Sequence, residues 1–247
     1  MLFDRQSFHR ILWWNPCSND LAGSYNIDKI VQFSTDAGAT IIHFPATGST
    51  IPYTHQAFYN SRVLPKADFL GERDLVAEVI EKSHRNNIAV VLYFNGHWFS
   101  EEFLRDHRDW AIHKADGEMF SLGFAYGGGG APCPTSPPFR EYTRQFVEEI
   151  TEHYDLDGLF FEGPVFFPST CYCQHCRARF QQRTGEQPPA EADWESPLWH
   201  EFIKFRYQMI FEYFDIVRAA CKKNIPIYKN AAVLTTTWFG CHNVELL

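Results

Sequence analysis

The sequence is organised around residues Leu156–Cys176, which read LDGLFFEGPVFFPSTCYCQHC. The apolar run Leu159–Phe161 is of the kind that a fully buried parallel strand shows. Gly163–Pro164 end this run, so Glu162 is expected at the carboxyl end of the strand. Parallel α/β folds place their chemistry at that end of the sheet. Glu162 is therefore the candidate for a catalytic carboxylate.

Three closely spaced cysteines follow nine residues after Glu162, in the pattern Cys171-x-Cys173-x-x-Cys176. Thiolates at such spacing converge on a soft or borderline metal ion, most often zinc. The alternative is that they are free buried thiols without a metal. A structural zinc site takes four ligands, so the metal hypothesis requires one more from elsewhere in the chain.

Cys133 is the strongest candidate for the fourth ligand. It precedes the helix that leads into the Glu162 strand, so it is expected in a loop that neighbours Cys171 at the same face of the sheet. Cys17 also ends a strand and competes with it. His175 is a weaker candidate, because it lies inside the cysteine turn.

Composition restricts the class of protein. The chain has 247 residues, 45% of them hydrophobic, which suits one domain over 1–247 with a sizeable core. Its net charge of −8 argues against a nucleic-acid partner. No apolar run reaches the roughly 20 residues that span a bilayer, and no signal peptide is evident. Seven cysteines, four of them candidate metal ligands, fit a reducing compartment and predict a cytoplasmic location.

Strands and helices are expected to alternate along the chain. The expected strands are Ile11–Trp14, Thr40–Phe44, Ile88–Phe94, Leu156–Phe161 and Ile225–Tyr228, the last extending through Ala231–Leu234. The expected helices are Ile27–Ala37, Glu72–Arg85, one that Ser136 caps with Pro137 at its first position, and one that opens at Ser196–Pro197. Between them lie long loops and a short basic segment, Arg177–Arg183.

This alternation indicates a parallel sheet with helices outside, of the TIM (β/α) barrel type. Only about five strands can be counted, although a complete eight-stranded barrel typically needs about 250 residues. We therefore expect a partial or truncated barrel that is incomplete at its C-terminus. Its exposed sheet edges would favour a covering partner or self-association into a homo-oligomer. An open doubly wound sheet is the alternative, but no Gly-x-Gly-x-x-Gly turn follows the first strand.

Polar and aromatic residues recur where the expected strands end. Parallel strands deliver their last residues to one rim, so these side chains should converge around Glu162 and bind a carbohydrate substrate. The high aromatic content, 17%, fits rings that stack on sugars. The candidate substrate-binding residues are Trp14, Asn15, His43, Asn95, His97, Trp98 and Asn230.

The glutamate, the cysteine pattern and an upstream C-P-x-S-P-x-x-R-E motif together resemble glycoside hydrolase family 42, the zinc-containing β-galactosidases. The segments AGATIIHFPA and GERDLVAEVIEKSHRNNIAVVLYFN also resemble the hypothetical glycosyl hydrolase 6 family. The first resemblance implies that Glu162 is the general acid/base. It also implies that the four cysteines already named hold a structural zinc. Family 42 has Asn before its acid, where this chain has Phe161, and its nucleophile lies on a later strand.

Two functions are therefore compatible with the sequence. The first is a glycoside hydrolase that acts on O-glycosidic bonds of small glycosides or oligosaccharides. The second is a zinc-stabilised carbohydrate-binding or catalytically inactive barrel. Hydrolysis requires a second carboxylate within about 10 Å of Glu162, and this requirement separates the two.

Overall fold

The structure, a computed structural model, describes residues 8–14, 19–49, 53–96, 98–121, 129–224 and 232–236. The strands are β1 (Ile11–Trp13), β2 (Ile41–Pro45), β3 (Ala89–Asn95), β4 (Phe99–Ser100), β5 (Gly129–Gly130), β6 (Gly158–Glu162) and β7 (Ala232–Thr236). The helices are α1 (Ile27–Asp36), α2 (Leu75–Arg85), α3 (Glu101–Asp106), α4 (Pro137–His153), α5 (Gln174–Thr184) and α6 (Pro197–Asn224).

The main sheet is parallel and has the strand order β1-β2-β3-β6-β7. Each pair of neighbouring strands is connected through at least one helix, so the expected α/β fold with a parallel sheet is confirmed. A separate antiparallel pair, β4 and β5, lies in the long connection between β3 and α4. The five described strands of the main sheet match the number expected.

Most element boundaries differ from the expected ones by a few residues, and local hydrogen bonds explain the differences. Helix α2 begins at Leu75 instead of Glu72, because the Asp74 side chain caps it by accepting from the Ala77 amide at 2.8 Å. Strand β6 extends to Glu162 and stops before Gly163, whose φ is +89°. The expected strand Ile225–Tyr228 lies outside the described residues.

The structure adds one helix to those expected and corrects one capping detail. The basic segment that begins at Arg177 belongs to an eleven-residue helix, α5, which ends at Gly185 in the left-handed conformation. Ser136 does occupy the N-cap position of α4, but its hydroxyl makes no capping hydrogen bond. Pro137 at the start of that helix lacks an amide hydrogen, so one of the amides that need a cap is already absent.

The two faces of the main sheet have different environments. The outer face packs against α1, α2 and α4 in the largest core, with alternate strand residues such as Phe44, Leu92 and Phe161 buried there. The inner face carries the intervening residues, and Ile41, Val91 and Phe160 form a small cluster on it. This alternation follows from the two-residue period of a strand. It decides which strand-end residues can reach Glu162.

A second core forms between the loops after β3 and β6 and the helices α5 and α6. It contains four buried cysteines together with aromatic residues of α6 such as Trp199, Phe202 and Phe205. Within the described part of the chain, none of the helices combines the length and hydrophobicity that crossing a lipid bilayer requires.

Candidate active site and cysteine cluster

Glu162 is the last residue of β6, on the inner face of the sheet and directly beside Asn95 of β3. Its backbone oxygen accepts a hydrogen bond from the Gly96 amide at 2.9 Å. The side chain is half-buried, and its Oε2 accepts a hydrogen bond from the Tyr93 hydroxyl. Burial raises the pKa of the Glu162 carboxyl, and the hydrogen bond from Tyr93 opposes this rise in part.

Tyr93 was not among the expected site residues, although it lies two positions before Asn95 and therefore on the same face of β3. It is fully buried, and both this burial and the charge of Glu162 raise the pKa of its hydroxyl. Tyr93 is therefore a hydrogen-bond donor at every physiological pH. The alternation of β3 could have identified it, because any inner-face residue near the strand end reaches the site.

His43 lies on the inner face of β2, between aromatic rings. Its ring centroid is 4.6 Å from that of Phe160, 5.2 Å from Trp13 and 5.9 Å from Tyr93. Burial lowers the pKa of His43 to about 4, so the imidazole is neutral near pH 7. Its Nε2 atom is buried and has no hydrogen-bond partner among the described residues. A buried polar atom without a partner is one that a ligand hydroxyl could satisfy.

Asn95 and Trp98 are connected by two hydrogen bonds at the end of β3. The Asn95 side chain donates to the Trp98 carbonyl oxygen at 2.9 Å and accepts from the Trp98 amide at 3.3 Å. The indole Nε1 of Trp98 donates to the carbonyl oxygen of Ser49 in the loop after β2. These contacts make Asn95 a fixed part of the turn that borders Glu162, and they connect the two neighbouring loops.

The structure places Trp14 away from this group. Its indole nitrogen donates to Ser34 Oγ at 3.1 Å, and its ring contacts Phe33 edge-on, both on α1. The preceding residue, Trp13, pairs with His43 in the sheet and turns its ring to the inner face, with 57% of it exposed. Trp13 is paired with the inner-face residue His43, so the alternation of the strand turns Trp14 to the outer face.

Three other expected substrate-binding residues, Asn15, His97 and Asn230, lie outside the described residues. Among the described strands of the main sheet, Glu162 is the only acidic residue. Asp157 precedes β6 at the opposite end of the sheet, where its side chain accepts from the Val90 amide and contacts His84. The described strands of the main sheet therefore supply one of the two carboxylates that glycoside hydrolysis requires.

Four buried cysteines lie together beside the strand ends. The Sγ atoms of Cys133, Cys171, Cys173 and Cys176 are all within 4.8 Å of one another. Cys133 Sγ is 3.5 Å from Cys176 Sγ and 3.7 Å from Cys173 Sγ. His175 is not part of this group, and its buried Nε2 has no described partner. The competing Cys17 lies outside the described residues.

The geometry and the donor set fit a tetrahedral metal site. Four sulfurs about 2.3 Å from a central zinc lie about 3.8 Å from one another, close to the separations seen here. Backbone amides of His113, Thr135 and Cys173 point at the sulfurs from 3.4 Å. Such N–H groups stabilise thiolates, and Cys173 also lies at the N-terminus of α5, where the helix dipole favours negative charge.

The thiols have different proton affinities. Burial raises the pKa of the Cys133 and Cys176 thiols well above the ordinary range. Hydrogen bonds from the three neighbouring thiols lower the pKa of Cys173. A cation at the centre of the cluster would favour the thiolate form of all four.

The cluster joins the two loops that border Glu162. Cys133 comes from the connection that follows β3, and the other three cysteines come from the segment that follows β6. Only eight residues, 163–170, separate Glu162 from Cys171. A metal held by these four sulfurs would therefore fix the positions of the two loops that border the Glu162 carboxylate.

The parallel α/β fold is similar to that of several solved glycosidases. The fold resembles an α-L-fucosidase, isoenzyme 2, from Paenibacillus thiaminolyticus, with 18% identity, a TM-score of 0.70, and coverage of 92% of this chain and 32% of that chain. A β-galactosidase from Halorubrum lacusprofundi has 16% identity and a TM-score of 0.66, and the match covers 92% of this chain and 36% of that chain. A β-galactosidase from Rahnella sp. R3 has 14% identity and a TM-score of 0.63, and the match covers 96% of this chain and 36% of that chain.

The chain belongs to the family described as hypothetical glycosyl hydrolase 6, whose model matches residues 26–163. The match includes His43, Tyr93 and Glu162 and ends just before the cysteine-rich segment. No curated protein sequence matches the chain. The chain spans about a third of the length of the solved structures named above.

Proposed function

We propose that the protein is a glycoside hydrolase that acts on O-glycosidic bonds of small glycosides or oligosaccharides, with Glu162 as general acid/base. The observation that supports this role most strongly is the environment of Glu162. It is a half-buried carboxyl with a raised pKa at the carboxyl end of a parallel strand, and it accepts a hydrogen bond from Tyr93. A raised pKa keeps the acid form populated nearer to neutral pH, as a proton donor requires.

The hydrogen bond from Tyr93 determines which oxygen carries the catalytic proton. Tyr93 donates to Oε2, so the proton that passes to the glycosidic oxygen is placed on Oε1. After the leaving group departs, the carboxylate is stabilised by the same hydrogen bond. It can then accept a proton from the attacking water.

The inner face supplies the substrate contacts in this proposal. Neutral His43 accepts a hydrogen bond from a sugar hydroxyl through Nε2 or donates one, depending on its tautomer. Trp13 offers a half-exposed ring against which the apolar face of a sugar stacks. Asn95 and Trp98, together with Asn15, His97 and Asn230, are the remaining candidates for this rim. Trp14, which packs on α1, is no longer one of them.

The four cysteines are proposed to hold one structural zinc ion. The zinc would supply no chemical step and would cross-link the loops after β3 and β6. The five-stranded sheet is proposed to be part of a β/α barrel, and the second carboxylate, the nucleophile or base, lies outside the described strands. Family 42 membership and galactoside specificity are not part of the proposal.

The alternative is a zinc-stabilised carbohydrate-binding or catalytically inactive barrel. It is favoured by one specific observation, the lack of a second carboxylate among the described strands of the main sheet. Such a protein would use the same inner face to bind a sugar without cleaving it.

A hydrolysis screen separates the two functions. The protein and its Glu162→Gln variant are tested on a panel of nitrophenyl α- and β-glycosides, and sugar binding is measured in parallel by calorimetry. The proposal expects release of nitrophenol with at least one sugar, reduced by roughly 10²–10⁴ in the variant. Binding of a sugar without any hydrolysis supports the alternative. Equal hydrolysis by both forms excludes Glu162 as the acid.

A further inference from the structure

Arg206 on α6 lies in the core that surrounds the cysteine cluster. Its Nη2 donates to the carbonyl oxygens of Phe166 and Phe167, both at 2.9 Å. Its Nε is buried and has no hydrogen-bond partner among the described residues. The guanidinium also lies over two rings, 5.3 Å from the Phe166 centroid and 5.8 Å from the Phe202 centroid.

No carboxylate in the described part of the chain forms an ion pair with Arg206. By contrast, the nearby Arg140 and Arg179 both pair with Glu212, at 3.3 and 2.7 Å. Arg206 is half-buried, and a guanidinium partly removed from water is stabilised by negative charge, of which backbone carbonyls and rings supply only part. The positive charge of Arg206 therefore requires a further source of negative charge nearby.

The cysteine cluster is the source of negative charge that the structure offers. Phe166 and Phe202, which contact the guanidinium, belong to the same packed core as all four cysteines. Burial lowers the pKa of Arg206, and the neighbouring groups Tyr172, Cys171 and Cys176 oppose this shift. The guanidinium therefore borders the packed core that holds the four sulfurs.

We propose that Arg206 is the counter-cation of the metal-loaded cluster. Four thiolates around one Zn²⁺ carry a net charge of −2, which is costly to bury without a cation nearby. Arg206 offsets half of this charge. The inference rests on the zinc site proposed above and is independent of whether the protein cleaves glycosides.

The same residue links the cluster to the segment that follows Glu162. Phe166 and Phe167 lie in the middle of residues 163–170, between the carboxylate and Cys171. Arg206 therefore holds this segment through its hydrogen bonds, while the cluster holds Arg206 through its charge. Loss of the metal leaves the guanidinium without its counter-charge and weakens this connection.

The test compares zinc affinity in the full chain and in two variants of Arg206. Zinc is titrated out with a coloured chelator from the wild type, from Arg206→Met and from Arg206→Lys. Removing one partner of a buried charge pair is strongly destabilising, so Arg206→Met should bind zinc roughly 100-fold more weakly. Arg206→Lys keeps the charge and should stay within about tenfold of the wild type.

Three outcomes overturn or redirect this inference. An Arg206→Met affinity within threefold of the wild type overturns the counter-cation role. Equal weakening by Met and Lys also overturns it, because the hydrogen-bonding fork and not the charge would then matter. A wild type that binds no zinc overturns the zinc site itself, and the two failures are therefore distinguishable.

A second measurement covers the case in which a variant folds poorly. Urea unfolding is followed with and without zinc. Arg206→Met should lower the unfolding midpoint in both forms, because the hydrogen bonds to Phe166 and Phe167 are lost, but by clearly more in the zinc-loaded protein, where the counter-charge is lost as well. An equal loss of stability in both forms contradicts the proposal and indicates a packing role.

Discussion

The Tyr93 hydroxyl donates a hydrogen bond to Oε2 of Glu162, and both residues lie on the inner face of adjacent strands. The pair joins a hydroxyl that stays protonated to a carboxyl whose pKa is raised by burial. The hydrogen bond favours the charged carboxylate, whereas the surrounding rings favour the neutral acid. The proton affinity of Glu162 is therefore set by two opposing effects that can be varied separately.

Replacing Tyr93 by Phe should raise the pKa of Glu162 further. The variant loses a donor to the carboxylate but keeps the ring that buries it, so the neutral acid becomes more favourable. In the proposed hydrolase, the alkaline limb of the pH dependence of kcat should move upward, because the acid form persists to higher pH. The measurement is a pH profile combined with ¹³C NMR titration of the Glu162 carboxyl. A pKa that falls in the variant would contradict this assignment.

The raised pKa of Glu162 also predicts how stability changes with pH. The folded state holds the proton more tightly than the unfolded state, so stability falls as pH rises from the ordinary glutamate pKa of about 4.3 through the folded value. Glu162→Gln removes this ionisation. The variant should match the wild type at about pH 3.5 and be the more stable of the two at pH 7. Urea unfolding at both pH values tests this, and a less stable variant at pH 7 would refute it.

Trp13 and Trp14 provide a matched pair of substitutions. Trp14→Ala removes the packing against Phe33 and the hydrogen bond to Ser34, and should cost about 2–3 kcal/mol of unfolding free energy with little effect on sugar binding. Trp13→Ala removes a half-exposed inner-face ring, and should weaken sugar binding with a smaller stability loss. Thermal unfolding measures the stability of both variants, and calorimetric titration with a sugar that binds the wild type measures their affinity. The reverse pattern would show that the face assignment is wrong.

The cysteine cluster predicts one zinc per chain. X-ray absorption should find four sulfur ligands at about 2.3 Å. Cys133→Ala should lower zinc content and stability together, because the metal contributes directly to folding. Cys221→Ala is the control, since Cys221 is buried in the main core away from the cluster. Full zinc content in Cys133→Ala would exclude Cys133 as a ligand.

Local sequence patterns predicted most of the sheet and the position of Glu162. The apolar runs of β2, β3 and β6 are short and bounded by turn residues, which makes the strands recognisable. The cysteine grouping was also predictable, because consecutive parallel strands bring the loops after them to one side of the sheet. Chain order alone thus predicts Cys133 as the fourth ligand, and the structure places its sulfur with the other three.

Other features depend on details that a pattern does not carry. The pairing of Trp13 with His43 turns Trp13 to the inner face and Trp14 to α1, and a short apolar run does not reveal this pairing. Strand-end position does not predict Tyr93, because this residue lies two positions before the end of β3. Arg206 lies on a long helix in no distinctive sequence pattern. Only tertiary contacts bring it to Phe166 and the core around the cluster.

The role of Glu162 as proton donor is tested most directly by the dependence of hydrolysis on the leaving group. A general acid matters for poor leaving groups and hardly at all for those that depart without protonation. The wild type and Glu162→Ala are compared on a series of aryl glycosides of the sugar found in the screen, from phenyl to 2,4-dinitrophenyl. The account predicts that formation of the glycosyl-enzyme or of product slows by roughly 10²–10⁴ for phenyl but by less than about tenfold for dinitrophenyl. A loss of the same size across the whole series would contradict it.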